Sequence, residues 1–175
     1  ADGLNSVGIQ VNESIIHDFF RVYHECLREE TSATPDRRTL PGVRALLNTV
    51  SQIPATAVGL GTGNTKEGAF IKLQSVDLAS YFSFGGFGCD HANRTELIRL
   101  GIARGAHLLG VTPPATRAVI IGDTPKDIHA AQEAGALSFA IATGEFSTEE
   151  LSAYSPTKVY QNLESPELVA ALFHD

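Results

Sequence analysis

From residue 55 onward, short apolar runs alternate with segments of helical period, and this alternation most constrains the fold. Residues 55–61, 81–87, 117–121, 137–142 and 158–160 read as strands. Residues 65–74, 93–109, 125–134 and 165–173 read as helices, with a short one capped by Ser147 and Glu150. Strands alternating with helices predict an α/β, Rossmann-like parallel sheet with helices on both faces. Ligands of such folds bind beyond the carboxyl ends of the strands. The residues just after each strand are therefore the candidates for chemistry.

Upstream, residues 12–30 read as a helix capped by Asn12, with Ile15, Ile16, Phe19, Phe20, Tyr23 and Leu27 on one apolar stripe. Residues 31–39, with Pro35, read as a linker. Pro41 then reads as the first-turn proline of a short helix carrying Val43, Leu46, Leu47 and Val50. The break divides the chain into residues 1–38 and 39–175.

Thirteen basic against twenty acidic residues give a net charge of −7. Phosphate neutralisation along nucleic acid needs clustered Lys and Arg, so no nucleic-acid partner is expected. No apolar run approaches the ~20 residues of a membrane span, so no membrane partner is expected either. The two cysteines, Cys26 and Cys89, lack partners at zinc-ligand spacing and read as reduced thiols of a cytoplasmic protein. The first ten residues have neither a basic head nor an apolar core, so no leader is expected from them. The chain contains no methionine, which predicts that its first residue is not an untouched translation start.

Three segments could carry chemistry. In Val119-Ile120-Ile121-Gly122-Asp123-Thr124-Pro125-Lys126-Asp127, an apolar strand delivers Asp123 to its end, and Asp127 follows in the first turn of a helix. Two such carboxylates suit a hard cation such as Mg²⁺. Asp127 can equally serve only as the acidic third residue of a helix cap. In Gly59-Leu60-Gly61-Thr62-Gly63-Asn64, glycines let backbone N–H groups approach an anion and Thr62 offers a hydroxyl. The same segment can be a plain strand-to-helix turn. Gly88-Cys89-Asp90-His91-Ala92-Asn93-Arg94 puts Arg94 in a helix's first turn, against the helix dipole. That cost calls for an anionic partner, either a carboxylate or a bound phosphate. His91, Lys66 and Lys72 read as ordinary solvated side chains.

Taken in order, these segments resemble the haloacid dehalogenase (HAD) superfamily of phosphatases. Thr62 matches the second motif, Arg94 stands near the position of the third, and Gly122, Asp123 and Asp127 match the fourth, Gly-Asp-x-x-x-Asp. Leu40-Pro41-Gly42-Val43, Tyr81-Phe82, Gly110-Val111 with Pro113, and Ala130-Ala131 with Ala134-Gly135 resemble the phosphoglycolate-phosphatase-like branch. The resemblance covers residues 40–175 and makes residues 1–38 part of a helical cap. It implies Mg²⁺-dependent hydrolysis of a small phosphorylated metabolite through an aspartyl-phosphate. Thr62, Gly63, Asn64 and Arg94 would bind the phosphoryl group, with Thr62 and Arg94 acting in catalysis. Asp123 would hold Mg²⁺ directly and Asp127 would support it.

The family's first motif, Asp-x-Asp-x-Thr, is absent from all 175 residues. In the family it ends a mid-sheet strand between those ending at Thr62 and Asp123. The expectation is a chain lacking its front, inactive as it stands, with a vacant strand position. A catalytically dead relative that binds a phosphate-bearing ligand or a partner protein is the alternative. An unrelated doubly wound domain is a third reading. Neither the substrate nor the oligomeric state is legible.

Overall fold

The computed structural model describes residues 12–34, 37–113 and 117–173. The elements are α1 (Glu13–Ala33), α2 (Val43–Ser51), β1 (Leu60–Thr62), α3 (Lys66–Gln74), a 3₁₀ turn (Ala79–Tyr81), β2 (Gly85–Phe87), α4 (Arg94–Leu108), β3 (Val119–Gly122), α5 (Pro125–Glu133), β4 (Leu137–Ile141), α6 (Thr148–Ser152), β5 (Lys158–Tyr160) and α7 (Pro166–Phe173). The strands form two parallel sheets, β1-β2 and β3-β4-β5. This is the expected α/β, Rossmann-like architecture.

Local chemistry explains most helix boundaries. Asn12 caps α1 through Ile15 N–H (2.9 Å), and Asn93 caps α4 through the N–H groups of Thr95 and Glu96 (2.8 and 3.2 Å). Ser147 and Glu150 form the expected capping box on α6. Helix α2 begins later than the proline signal suggests. Gly42 takes φ +82° at its N-cap, beside the Leu163 backbone, so Pro41 precedes the helix and Val43 is its first residue. Helix α1 runs on to Ala33, into the expected linker; Pro35 lies outside the described residues.

Alternation along β4 places a core on each face of the larger sheet. Ala140 packs with Ile128 of α5 and Leu151 of α6, while Ile141 packs with Leu46 of α2 and Leu168 of α7. Helices α4 and α5 meet through Leu97, Ile98 and Ala130, with Ile120 of β3 against them. Since α4 also packs on β1 and β2, this helix pair joins the two sheets. Helix α1 rests on α3 through Tyr23, His24 and Leu27, whereas Ile16 and Phe19 on the same stripe are exposed.

The strand expected over 55–61 is the main correction. Only Leu60–Thr62 pairs, and residues 55–59 make no ladder. A strand needs a partner, and β1 has one only at β2. The edge of β1 away from β2 and the edge of β3 away from β4 pair with nothing among the described residues. Ile121, mid-strand in an apolar run, is 40% exposed. The strand expected over 81–87 is likewise shortened to Gly85–Phe87 by the 3₁₀ turn before it.

The outer edge of β2 is managed differently. Arg104 of α4 donates to Gly85 O (2.6 Å) and to both carboxylate oxygens of Asp90 (2.6 and 2.8 Å). Asp90 accepts Phe87 N–H (2.9 Å). One ion pair thus occupies an edge carbonyl and an edge N–H that would otherwise be open to another strand.

Two glycines contrast in what surrounds them. A Cβ on Gly86 would overlap the Leu97 carbonyl, whereas one on Gly63 would meet nothing. Gly86→Ala should cost about 1–3 kcal/mol or more in denaturant unfolding, and Gly63→Ala about 0.5 kcal/mol or less. The edge ion pair also makes stability depend on pH. The Arg104 hydrogen bonds, against the opposing effect of partial burial and helped by Phe87 N–H, lower the Asp90 carboxyl from 3.8 to about 2. A depressed folded-state pKa stabilises the fold above 3.8 and loses that contribution as pH falls toward about 2. Asp90→Asn should therefore be less stable at neutral pH and lose less stability across that acid window; an unchanged acid slope would contradict the assignment.

Candidate active site

Thr62 is the last residue of β1, and the turn after it carries it toward α3. Its Oγ1 accepts the backbone N–H of Asn64 (3.1 Å) and one side-chain N–H of Asn64 (2.9 Å). Both lone pairs are then used, and the hydroxyl proton has no acceptor among the described residues. The side chain is partly exposed, so its proton can reach a bound group. The Asn64 carbonyl accepts Gly88 N–H (2.8 Å), which ties the turn to the end of β2. Gly63 faces open space.

Arg94 meets the carboxylate that its unfavourable place on the helix dipole calls for. Its Nε donates to Asp127 Oδ1 at 3.0 Å, and its Nη2 donates to the same oxygen. The other Asp127 oxygen accepts Thr124 N–H (3.1 Å) and Thr124 Oγ1–H (2.7 Å). Asp127 is buried, with its side chain 9% exposed against 34% for Arg94. The cap reading of Asp127 therefore holds, and the carboxylate also has a charged partner. Each of its oxygens already takes two donors, which leaves little capacity for direct metal coordination. The remaining guanidinium N–H groups of Arg94 have no acceptor among the described residues and can meet an anion.

Asp123 follows β3 and is half-buried, against the backbone of Gly144. No hydrogen bond reaches its carboxylate among the described residues, so it is the carboxylate free to take a cation. No group of three or more His, Cys, Asp or Glu side chains able to hold a metal forms among the described residues. Mg²⁺ commonly uses one or two carboxylates, with water and substrate oxygens completing its octahedron. Asp123, with no hydrogen bond to its carboxylate among the described residues, is chemically suited to be one such ligand.

Arg94 lies seven residues after β2 and Asp127 five after β3, so their contact brings those two strand ends together. No hydrogen bond or ion pair among the described residues ties Thr62 or Asp123 to that pair. His91 only accepts Asn93 N–H (2.9 Å). A cavity of about 250 Å³ bordered by Lys66, Cys89, Asp90 and Arg104 lies at the outer edge of β2 and includes none of the six candidates. Both cysteines are free and exposed. No helix of the described residues is long and apolar enough to cross a membrane.

Two polar clusters escape the sequence reading. Lys72 is not a solvated lysine: its Nζ donates to Asn64 Oδ1 at 3.0 Å. Its position two helical turns beyond Asn64 was the available signal. Where α1 meets α3, buried His24 lies 2.7 Å from Thr65 Oγ1 and 3.0 Å from Glu67 Oε2, and Arg28 also pairs with Glu67. That cluster depends on how α1 docks, which no spacing within one element reveals.

Known proteins match this chain in sequence and in fold. Residues 97–166 match the HAD-hydrolase-like family. Phosphoglycolate phosphatase of Salmonella paratyphi A is 29% identical over 149 residues, which cover 82% of this chain and 53% of that protein. The chain thus spans about half the length of this curated relative. A haloacid dehalogenase-like hydrolase from Streptococcus pneumoniae superposes with TM-score 0.65 at 19% identity, over 97% of this chain and 75% of its own. CbbY from Rhodobacter sphaeroides, solved as a point mutant in complex with xylulose-(1,5)bisphosphate, gives 0.67 at 17% identity, over 85% and 64%. The family match and the relative mark this chain as similar to the haloacid dehalogenase-like hydrolases, and the solved structures share its fold.

Proposed function

We propose that this chain carries the phosphoryl-binding and metal-supporting residues of a Mg²⁺-dependent phosphatase for a small phosphorylated metabolite. The observation that carries this reading is the Thr62 hydroxyl. Its oxygen is saturated by Asn64 and its proton has no acceptor among the described residues, as expected of a group held ready for an anion. The relative named as a phosphoglycolate phosphatase and the neighbour solved with a sugar bisphosphate support the substrate class.

In this reading Thr62 donates to a phosphoryl oxygen, and Gly63 leaves room for the substrate to approach the backbone. Arg94, oriented by Asp127, directs its remaining N–H groups at the same phosphoryl group. Asp123 holds Mg²⁺, which when bound offsets negative charge on the phosphoryl oxygens. These roles are positional and electrostatic, which suits a loose phosphoryl-transfer transition state.

The nucleophile is the missing part. We place it on a further strand between β1 and β3, each of which has one edge unpaired among the described residues, with Ile121 of β3 exposed. An inserted strand would satisfy both rows of backbone groups and end beside Thr62 and Asp123. Its leading aspartate would attack phosphorus, expelling the alcohol, and water would then release inorganic phosphate from the aspartyl-phosphate.

Hydrolysis of an aryl phosphate with Mg²⁺ tests this reading. The chain alone should show no turnover. The chain joined to an Asp-x-Asp-x-Thr strand should turn over, lose on the order of 10²–10³-fold in kcat with Thr62→Val, and lose its Mg²⁺ dependence with Asp123→Ala. Turnover by the chain alone that disappears with Asp123→Ala would show that a carboxylate within these residues is the nucleophile.

A further inference from the structure

We infer that Lys72 and Asn64 are positioning residues that turn Thr62 into a one-way hydrogen-bond donor for the phosphoryl group; this rests on the phosphatase reading above. Lys72 sits in the last turn of α3, yet it reaches back to the turn before that helix, because helical side chains lean toward the N-terminus. An ammonium group has donors and no acceptor. Its 3.0 Å contact with Asn64 therefore fixes the carbonyl oxygen of that amide toward Lys72. The amide nitrogen is then forced toward Thr62, where it donates at 2.9 Å.

A second donor, Asn64 N–H, closes on the same hydroxyl oxygen at 3.1 Å. With both lone pairs taken, Thr62 can only donate. Every link in the chain points the same way, from the lysine charge through the amide to the hydroxyl proton. Hydrogen bonds in series polarise one another, so a full positive charge at one end strengthens the last donor. Lys72 is half-buried and Asn64 is held at its carbonyl by Gly88, so the relay is braced on both sides. The Asn64 amide is thus committed to Thr62 and Lys72 and acts on phosphate through Thr62.

Inorganic phosphate is the probe, titrated calorimetrically into the full chain with Mg²⁺, with a melting curve for each variant. Lys72→Met keeps the apolar stem and removes the donor. It should weaken phosphate binding about tenfold, and Lys72→Arg should restore most of the loss. In a Thr62→Val background Lys72→Met should change nothing further, because the relay has no hydroxyl to act on. Melting temperatures of the Lys72 variants should lie close to wild type. Unchanged phosphate affinity in Lys72→Met overturns the inference and leaves the phosphatase reading standing. An equal loss in the Thr62→Val background also overturns it, since Lys72 would then act as an independent charge. A wild-type chain that binds no phosphate overturns both.

Discussion

The Asp127 carboxylate accepts from Arg94 at the start of α4 and from Thr124 at the start of α5, and this contact spans the two sheets. Helix α4 belongs to the β1-β2 half and α5 to the β3-β4-β5 half. Behind the contact, Leu97, Ile98 and Ala130 pack the same two helices together. Apolar packing supplies adhesion without direction, while the four-donor carboxylate sets which ends of the helices meet. Asp127 is buried, so removing Arg94 would leave a charge short of its main partner, a change that typically costs about 3–5 kcal/mol. The same contact orients the guanidinium whose remaining donors have no acceptor among the described residues. Structure and proposed chemistry therefore share one ion pair.

Close backbone contacts at glycine carry the rest of the geometry. Gly86 lets β2 lie against the α4 backbone, and Gly144 lets a loop pass beside Asp123. Around this packing the two inner strand edges remain unpaired among the described residues, whereas the outer edge of β2 is covered by Asp90 and Arg104. One edge is thus blocked by a charged pair, while two others keep open backbone groups among the described residues, the kind of edge that another strand can pair with.

Helices were the most legible part of the sequence, because caps are local. Asn12, Asn93 and Ser147 each place a helix start within a residue. Strand lengths were less legible. The apolar run at 55–61 has strand composition, yet only Leu60–Thr62 pairs, since pairing is decided by what lies alongside. In the candidate site, Arg94's conflict with the helix dipole called for an anion, carboxylate or phosphate, and the structure supplies the Asp127 carboxylate. Asp127 drew two readings, metal support and helix cap; the cap is observed, and its pairing with Arg94 was not foreseen. The spacing of Lys72 from Asn64 permitted their contact, but its role depends on a loop conformation that turns Asn64 toward Thr62, which spacing does not reveal. The Asp90–Arg104 pair, fourteen residues apart, likewise exists only because β2 and α4 pack together.

The central claim is that Thr62, Arg94 and Asp123 serve one anion and one metal beside the gap between β1 and β3. The most direct measurement is a crystal structure of the chain grown with tungstate and Mn²⁺, each located by its anomalous scattering. The account predicts tungstate within hydrogen-bonding distance of Thr62 Oγ1 and the Arg94 guanidinium, and Mn²⁺ coordinated by an Asp123 oxygen. Tungstate bound elsewhere with Thr62 untouched, or Mn²⁺ absent from Asp123, would contradict it.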